Sequence, residues 1–122
     1  NNLFFYLKNS ISEVCNYLDI NSEIIISSSI KVDHSSKSQE KILSICNAMN
    51  AKQYINPIGG SQLYSKKIFE NNGVILKFIK PNKIEYKQFT DIFVPSLSIL
   101  DVIMFNSQDE CKQIINFEYS LE

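Results

Sequence analysis

QYINPIGGSQLYSKKIFENNGVILKFI, residues 53–79, decides the fold. Gln53 to Asn56 reads as a short strand, and a helix is expected from about Gln62 until Asn71, Asn72 and Gly73 stop it. A second strand follows from Val74 to Ile79, closed by Pro81. A strand, a helix and a strand joined by links this short pair in parallel through a right-handed crossover. The turn out of the first strand, Pro57-Ile58-Gly59-Gly60, holds two of the chain's three glycines. Such a turn lets bare backbone amides meet an anion at a helix N-terminus, where the dipole favours negative charge. The plainer alternative is a tight turn that needs positive φ and binds nothing. The spacing matches neither the Rossmann nor the Walker glycine pattern, so no nucleotide follows from it.

Working toward the N-terminus, a helix is expected from about Ser36 to Asn50, with Ile42, Ile45, Cys46 and Met49 facing inward. Gln39, three positions after Ser36, completes a capping-box pattern. Ile24, Ile25 and Ile26 form a β-branched run, apolar on both faces, as a buried parallel strand is. Before it, Leu3, Leu7, Ile11, Val14 and Leu18 recur at three- and four-residue steps in a first helix broken at Asp19–Ser22. The sum is an α/β fold in one domain over residues 1–122. It is a three-layer βαβαβ unit with a short parallel sheet, helices on both faces and a helical C-terminal tail.

Composition narrows the function. The 122 residues are 44% hydrophobic and 20% charged, those of an ordinary globular protein, and the net charge of -1 leaves no basic stripe for nucleic acid or polybasic membrane patch. All twelve basic residues are Lys, so an anion has to be held by ammonium groups and backbone amides rather than by a guanidinium fork. Cys15, Cys46 and Cys111 lie far apart, without metal-ligand spacing, and read as reduced thiols of a cytoplasmic protein. No apolar run approaches the roughly 18 residues of a membrane span. The chain opens Asn-Asn, without methionine, and is expected to be a piece of a longer one.

Parallel strands joined by crossovers send their outgoing segments to one carboxyl edge of the sheet. Three are expected there: 27–37 with His34 and Lys37, 56–62 with Asn56, Gly59 and Gly60, and 80–88 with Tyr86. A lysine in a helix's first turn opposes the dipole unless an anion is nearby, which marks Lys37. His34, Lys37, Asn56, Gly59, Gly60, Tyr64 and Tyr86 are the candidate ligand-binding residues, and replacing Gly60 by Val is expected to remove binding with the fold kept. Asp33 and Glu85 are available bases that nothing singles out. No nucleophile elbow or HExxH is present, so no catalytic residue, metal or cofactor is assigned.

In Pro95–Asn106, PSLSILDVIMFN, the residues from Leu97 to Phe105 are apolar nearly all round, the mark of a helix buried on several sides. A carboxylate within it requires a definite partner, so Asp101, with Ser98 and Asn106, is expected to lock structure around the site.

One succession runs Ser27-Ser28, Lys37-Ser38, Ile45-Cys46, Tyr54-Ile55, Gly59-Gly60, Tyr64, Phe69, Gly73, Phe78 and Tyr86. It ends in Phe93-Val94-Pro95, Leu97-Ser98-Ile99-Leu100-Asp101 and Asn106. In order and spacing this resembles the carboxyl-terminal half of the WbqC-like proteins, most strongly from Lys37 to Asn106. The resemblance implies a bacterial protein acting in O-antigen or other surface polysaccharide synthesis, as part of a sugar-modifying transferase that takes a sugar and an acyl or nucleotide donor. Family members usually open with His-Gln-Pro and Tyr-Leu-Pro segments, which this chain lacks. The resemblance therefore also implies a missing N-terminal half or a partner copy, without which the piece is inactive. The alternative is a non-catalytic module that binds glycan precursors or docks onto biosynthetic partners.

Overall fold

A computed structural model describes residues 2–122. The chain forms α1 (Leu3–Tyr17), α2 (Ser38–Ala48), β1 (Gln53–Pro57), α3 (Lys66–Asn71), β2 (Ile75–Pro81), α4 (Ile99–Phe105), α5 (Gln108–Phe117) and β3 (Tyr119–Leu121). Two 3-10 turns, Ser27–Ser29 and Ile58–Gly60, complete it. The class is α/β with a helical C-terminal region, and β1 and β2 pair in parallel across α3 as their spacing predicts.

The helix ends explain why these segments stop where they do. After α1, α2 and α3 come Asp19 (φ 54°), Asn50 (φ 52°) and Gly73 (φ 73°), each in the left-handed region. In each case two backbone bonds close over the last turn, Ile20 N to Cys15 O, Ala51 N to Cys46 O and Val74 N to Phe69 O being the longer-range member. This is the Schellman arrangement, which satisfies carbonyls that the helix leaves open and suits Gly, Asn or Asp.

Two compact units result, one of the segment ending at Glu23 with Lys83–Glu118, the other of Ile24–Asn82 with Tyr119–Glu122. The second carries the sheet, ordered β1-β2-β3. Leu43 and Cys46 of α2 and Phe69 of α3 bury against Val74, Leu76 and Phe78, with Tyr54 and Tyr64 packed on the cluster. Tyr54 stacks on Phe69 at 5.7 Å between ring centres. Because strand side chains alternate, the face holding Tyr54, Leu76 and Phe78 is the covered one, and Ile55, Ile75, Tyr119 and Leu121 on the other face stay exposed.

Ladder parity places the two strand prolines. Ile75 N donates to Lys52 O, so odd residues of β2 and even residues of β1 face each other. Pro57, odd in β1, therefore turns its missing donor outward at the sheet edge, and Pro81 lies past the end of the β1 pairing.

The third strand departs from expectation. Ile24–Ile26 has no ladder partner and runs as irregular chain into the Ser27–Ser29 turn, with Ile24 and Ile25 exposed. Tyr119–Leu121 supplies the third strand instead, antiparallel to β2, with Phe78 and Glu122 exchanging two backbone bonds of 2.9 Å. Only two crossover-linked strands thus feed a common carboxyl edge.

In the other unit Leu18, Val102 and Cys111 form the centre, with Val14, Ile84, Tyr86, Ile99 and Ile114 around them. Lys112 pairs with Asp19, and Gln108 Nε2 donates to Tyr17 O. Ser107 and Glu110 form a reciprocal capping box at the start of α5. The helix expected to be buried on several sides, α4, starts only at Ile99 and buries Val102 but leaves Leu100 and Met104 exposed, as is Leu97 before it.

Candidate functional site

The carboxyl end of β1 gathers Asn56, Gly60 and Tyr64. Tyr54 Oη donates to Asn56 Oδ1 at 2.9 Å, and Asn56 Nδ2 donates to Pro57 O at 3.1 Å. Gly60 is buried beneath that amide: a Cβ built on it would lie 2.0 Å from Asn56 Nδ2 and 3.3 Å from Tyr64 Cε2. Close approach, not positive φ, is what demands glycine here, since neither Gly59 nor Gly60 has a left-handed backbone. Gly59 is exposed with open space around it. Any side chain at Gly60 requires the Asn56 amide to move, so the expectation that a valine spares the fold depends on that side chain giving way.

The Gly-Gly pair forms a 3-10 turn, and α3 begins only at Lys66, six residues after Gly60. The pair is therefore not at the N-terminus of a helix as expected. A different contact brings α2 to the same end of this unit. Gln39 Oε1 accepts from Ser65 N at 3.3 Å, so the first turn of α2 lies beside the segment that carries Tyr64. The capping box expected from Ser36 and Gln39 does not form: the chain enters α2 through extended Lys37 and left-handed Ser38 (φ 52°), and no side chain caps it. Lys37 is exposed at the cap position rather than in the first turn.

His34 sits three residues earlier, exposed, its Nε2 donating to Ile30 O at 3.0 Å. Beside it Asp33 accepts from the hydroxyl and amide of Ser35, bonds that hold its carboxyl below the usual range. Burial holds the Tyr54 phenol above its ordinary value, so it stays a neutral donor to Asn56. Burial likewise raises the Cys46 and Cys111 thiols, which makes them poor nucleophiles.

Tyr86, Ser98, Asp101 and Asn106 belong to the other unit. Asp101 Oδ2 accepts from Tyr86 Oη at 2.6 Å and from Gln88 Nε2 at 2.9 Å. Gln88 also exchanges bonds with Val94 N and O, and this clamps the neck of the 88–94 loop. Ser98 caps α4 by accepting from Leu100 N, and Asn106 donates back to Val102 O. Gln88 escaped the sequence reading, because a loop glutamine six residues from its backbone partners leaves no local pattern.

Among the described residues no group of three or more His, Cys, Asp or Glu is placed to hold a metal ion, and no helix is long and apolar enough to cross a membrane. A family model described as the WbqC-like protein family matches residues 1–113. The chain belongs to that family. The match takes in every candidate residue of this WbqC-like protein and α1 as well, while β3 lies beyond it. No curated protein and no solved structure matches the WbqC-like chain.

Proposed function

We propose that this chain serves bacterial surface polysaccharide synthesis of the O-antigen kind, in the cytoplasm, as the part of a sugar-modifying transferase that holds an anionic sugar, acyl or nucleotide donor. Family membership supports the pathway. The bond from Gln39 to Ser65 supports the site, because it puts the α2 entry and the Asn56–Tyr64 segment at one end of the sheet-bearing unit. In α/β sheets that carboxyl end is where ligands bind. Lys37 supplies the ammonium, the open Gly59 backbone admits close approach, and the Asn56 amide and Tyr64 ring orient a sugar, with His34 in the adjoining loop.

The test is thermal shift with a panel of nucleotide-activated sugars and acyl donors on the full-length protein, since a ligand raises the midpoint only of a state it binds. One donor class is expected to shift the wild type and to lose that shift in Lys37→Ala. No shift with any donor, or a shift that Lys37→Ala leaves unchanged, overturns the reading. A second reading, a non-catalytic docking module, draws on the exposed apolar face of α1. Binding of a glycan precursor that survives both Lys37→Ala and Tyr64→Ala favours it.

A further inference from the structure

One ammonium of the sheet-bearing unit has a fixed place and no countercharge. Lys66 opens α3, and its Nζ stands 5.8 Å from the centre of the Phe78 ring. That ring is 5% exposed, and the face of an aromatic ring attracts a cation, so an otherwise exposed lysine gains a preferred seat on the covered side of β2. Phe78 is the register partner of Asn56, which puts both side chains on one face of the sheet. Lys66 therefore stands beside the corner built by Asn56, Gly60 and Tyr64. The ion pairs among the described residues are Lys80 with Glu122, at 3.6 Å, and Lys112 with Asp19. Lys80, two residues past Phe78 and so on the same face, is thus answered by a carboxylate, and Lys66 is not. A second lysine comes from α2. The bond from Gln39 to Ser65 sets the α2 entry beside the start of α3, with Lys37 two residues before one partner and Lys66 one residue after the other.

Resting on the reading of this end of the sheet as a donor site, we propose that Lys66 contacts the bound anion directly and that the anion is a diphosphate. That group is shared by nucleotide-activated sugars and by acyl carriers built on a nucleotide. Two ammonium groups from two elements, in a chain without a single guanidinium, suit several charged oxygens read as point charges. A lone carboxylate needs one of them. Lys66 has an alternative use, covering Phe78 with its stem, and the two uses separate cleanly. Methionine covers the ring as well as lysine does but carries no charge.

Isothermal titration of the full-length protein with inorganic pyrophosphate, uridine diphosphate and coenzyme A reads the site. Pyrophosphate is expected to bind, more weakly at high salt, and whichever of the other two binds more tightly names the source of the diphosphate. Lys66→Met should weaken every diphosphate about ten- to a hundredfold with the ligand-free unfolding midpoint unchanged, and Lys66→Arg should restore binding. Lys67→Met, at the next and equally exposed residue of α3, should leave binding as it is. Pyrophosphate held equally by wild type and Lys66→Met overturns the inference and leaves the donor reading standing. So does a loss that Lys66→Arg does not restore or that a lower ligand-free midpoint accompanies, and so does a donor that binds through a carboxylate while all three diphosphates fail. Failure of every donor and every diphosphate overturns both.

Discussion

Replacing Gly60 by alanine tests the packing at the end of β1. The new methyl would sit 2.0 Å from Asn56 Nδ2, well inside contact distance, so the amide has to rotate away. Rotation breaks the 2.9 Å bond from the half-buried Tyr54 hydroxyl and the 3.1 Å bond to Pro57 O. Each is worth about 1 kcal/mol net. Against this, an alanine restricts the unfolded chain and returns about 0.4–1 kcal/mol, with no backbone strain because φ is ordinary. The balance is a loss of about 1–1.5 kcal/mol, or roughly 4–6 °C in the midpoint for a chain of this length. Urea titration followed by circular dichroism measures it. Gly59→Ala is the matched control, since nothing lies within 4 Å of its Cβ position, and it should be neutral or slightly stabilising. In an Asn56→Ala background the Gly60→Ala loss should shrink to near zero, because the two changes act on one contact. Gly60→Ala as stable as Gly59→Ala, or a loss undiminished by Asn56→Ala, would refute the reasoning.

Asp101→Asn should free the neck of the 88–94 loop and lower stability by about 1–3 kcal/mol, since Tyr86 and Gln88 both lose a charged acceptor. Burial first, then the Asp101 bond, raises the Tyr86 phenol, so its contribution to stability is complete below the ordinary tyrosine range and lost as pH rises through the elevated value. A tyrosinate titration, with Tyr86→Phe subtracted, should show the Asp101→Asn midpoint moving down; an unmoved midpoint counts against the bond. The bonds from Ser107 hold the Glu110 carboxyl below its usual value, so the capping box contributes above the ordinary glutamate range and is lost as pH falls through the lowered one. Ser107→Ala removes the cap, worth about 1 kcal/mol, and should flatten the acid limb of a stability–pH curve; a parallel limb would separate Glu110 from the helix start.

What the sequence made legible was what local chemistry dictates. Gly73 ended α3 where its left-handed backbone requires, and Ile42 and Cys46 of α2 and Val14 and Leu18 at the end of the first stripe pack inward as expected, whereas Met49, Leu3, Leu7 and Ile11 stay exposed and Leu43, outside the expected set, is buried. The need of Asp101 for partners followed from the apolar segment around it. Elsewhere the same local chemistry had more than one solution. The Ile24–Ile26 run has the β-branched composition of a strand but finds no neighbour to pair with, whereas Tyr119–Leu121 is held by backbone bonds and buries no side chain, so composition could not mark it. Leu100 and Met104 are apolar and exposed, because apolar character permits burial without compelling it. Gln39 could reach either Ser36 or Ser65, and tertiary packing chose the second. The capping box that does form was available in the tetrapeptide Ser107-Gln108-Asp109-Glu110.

The outward-turned Pro57 has a consequence for the chain's life in a crowded cell. The margin along β1, an edge of the sheet ordered β1-β2-β3, is a template on which further strands can stack, and growth of that kind ends in fibrils. At the end of β1 the pyrrolidine offers an incoming strand no donor and a bulky ring instead. The margin can still meet a neighbour briefly through Gln53 and Ile55, but the zipper has no next tooth, which keeps this edge of the sheet from becoming a seed.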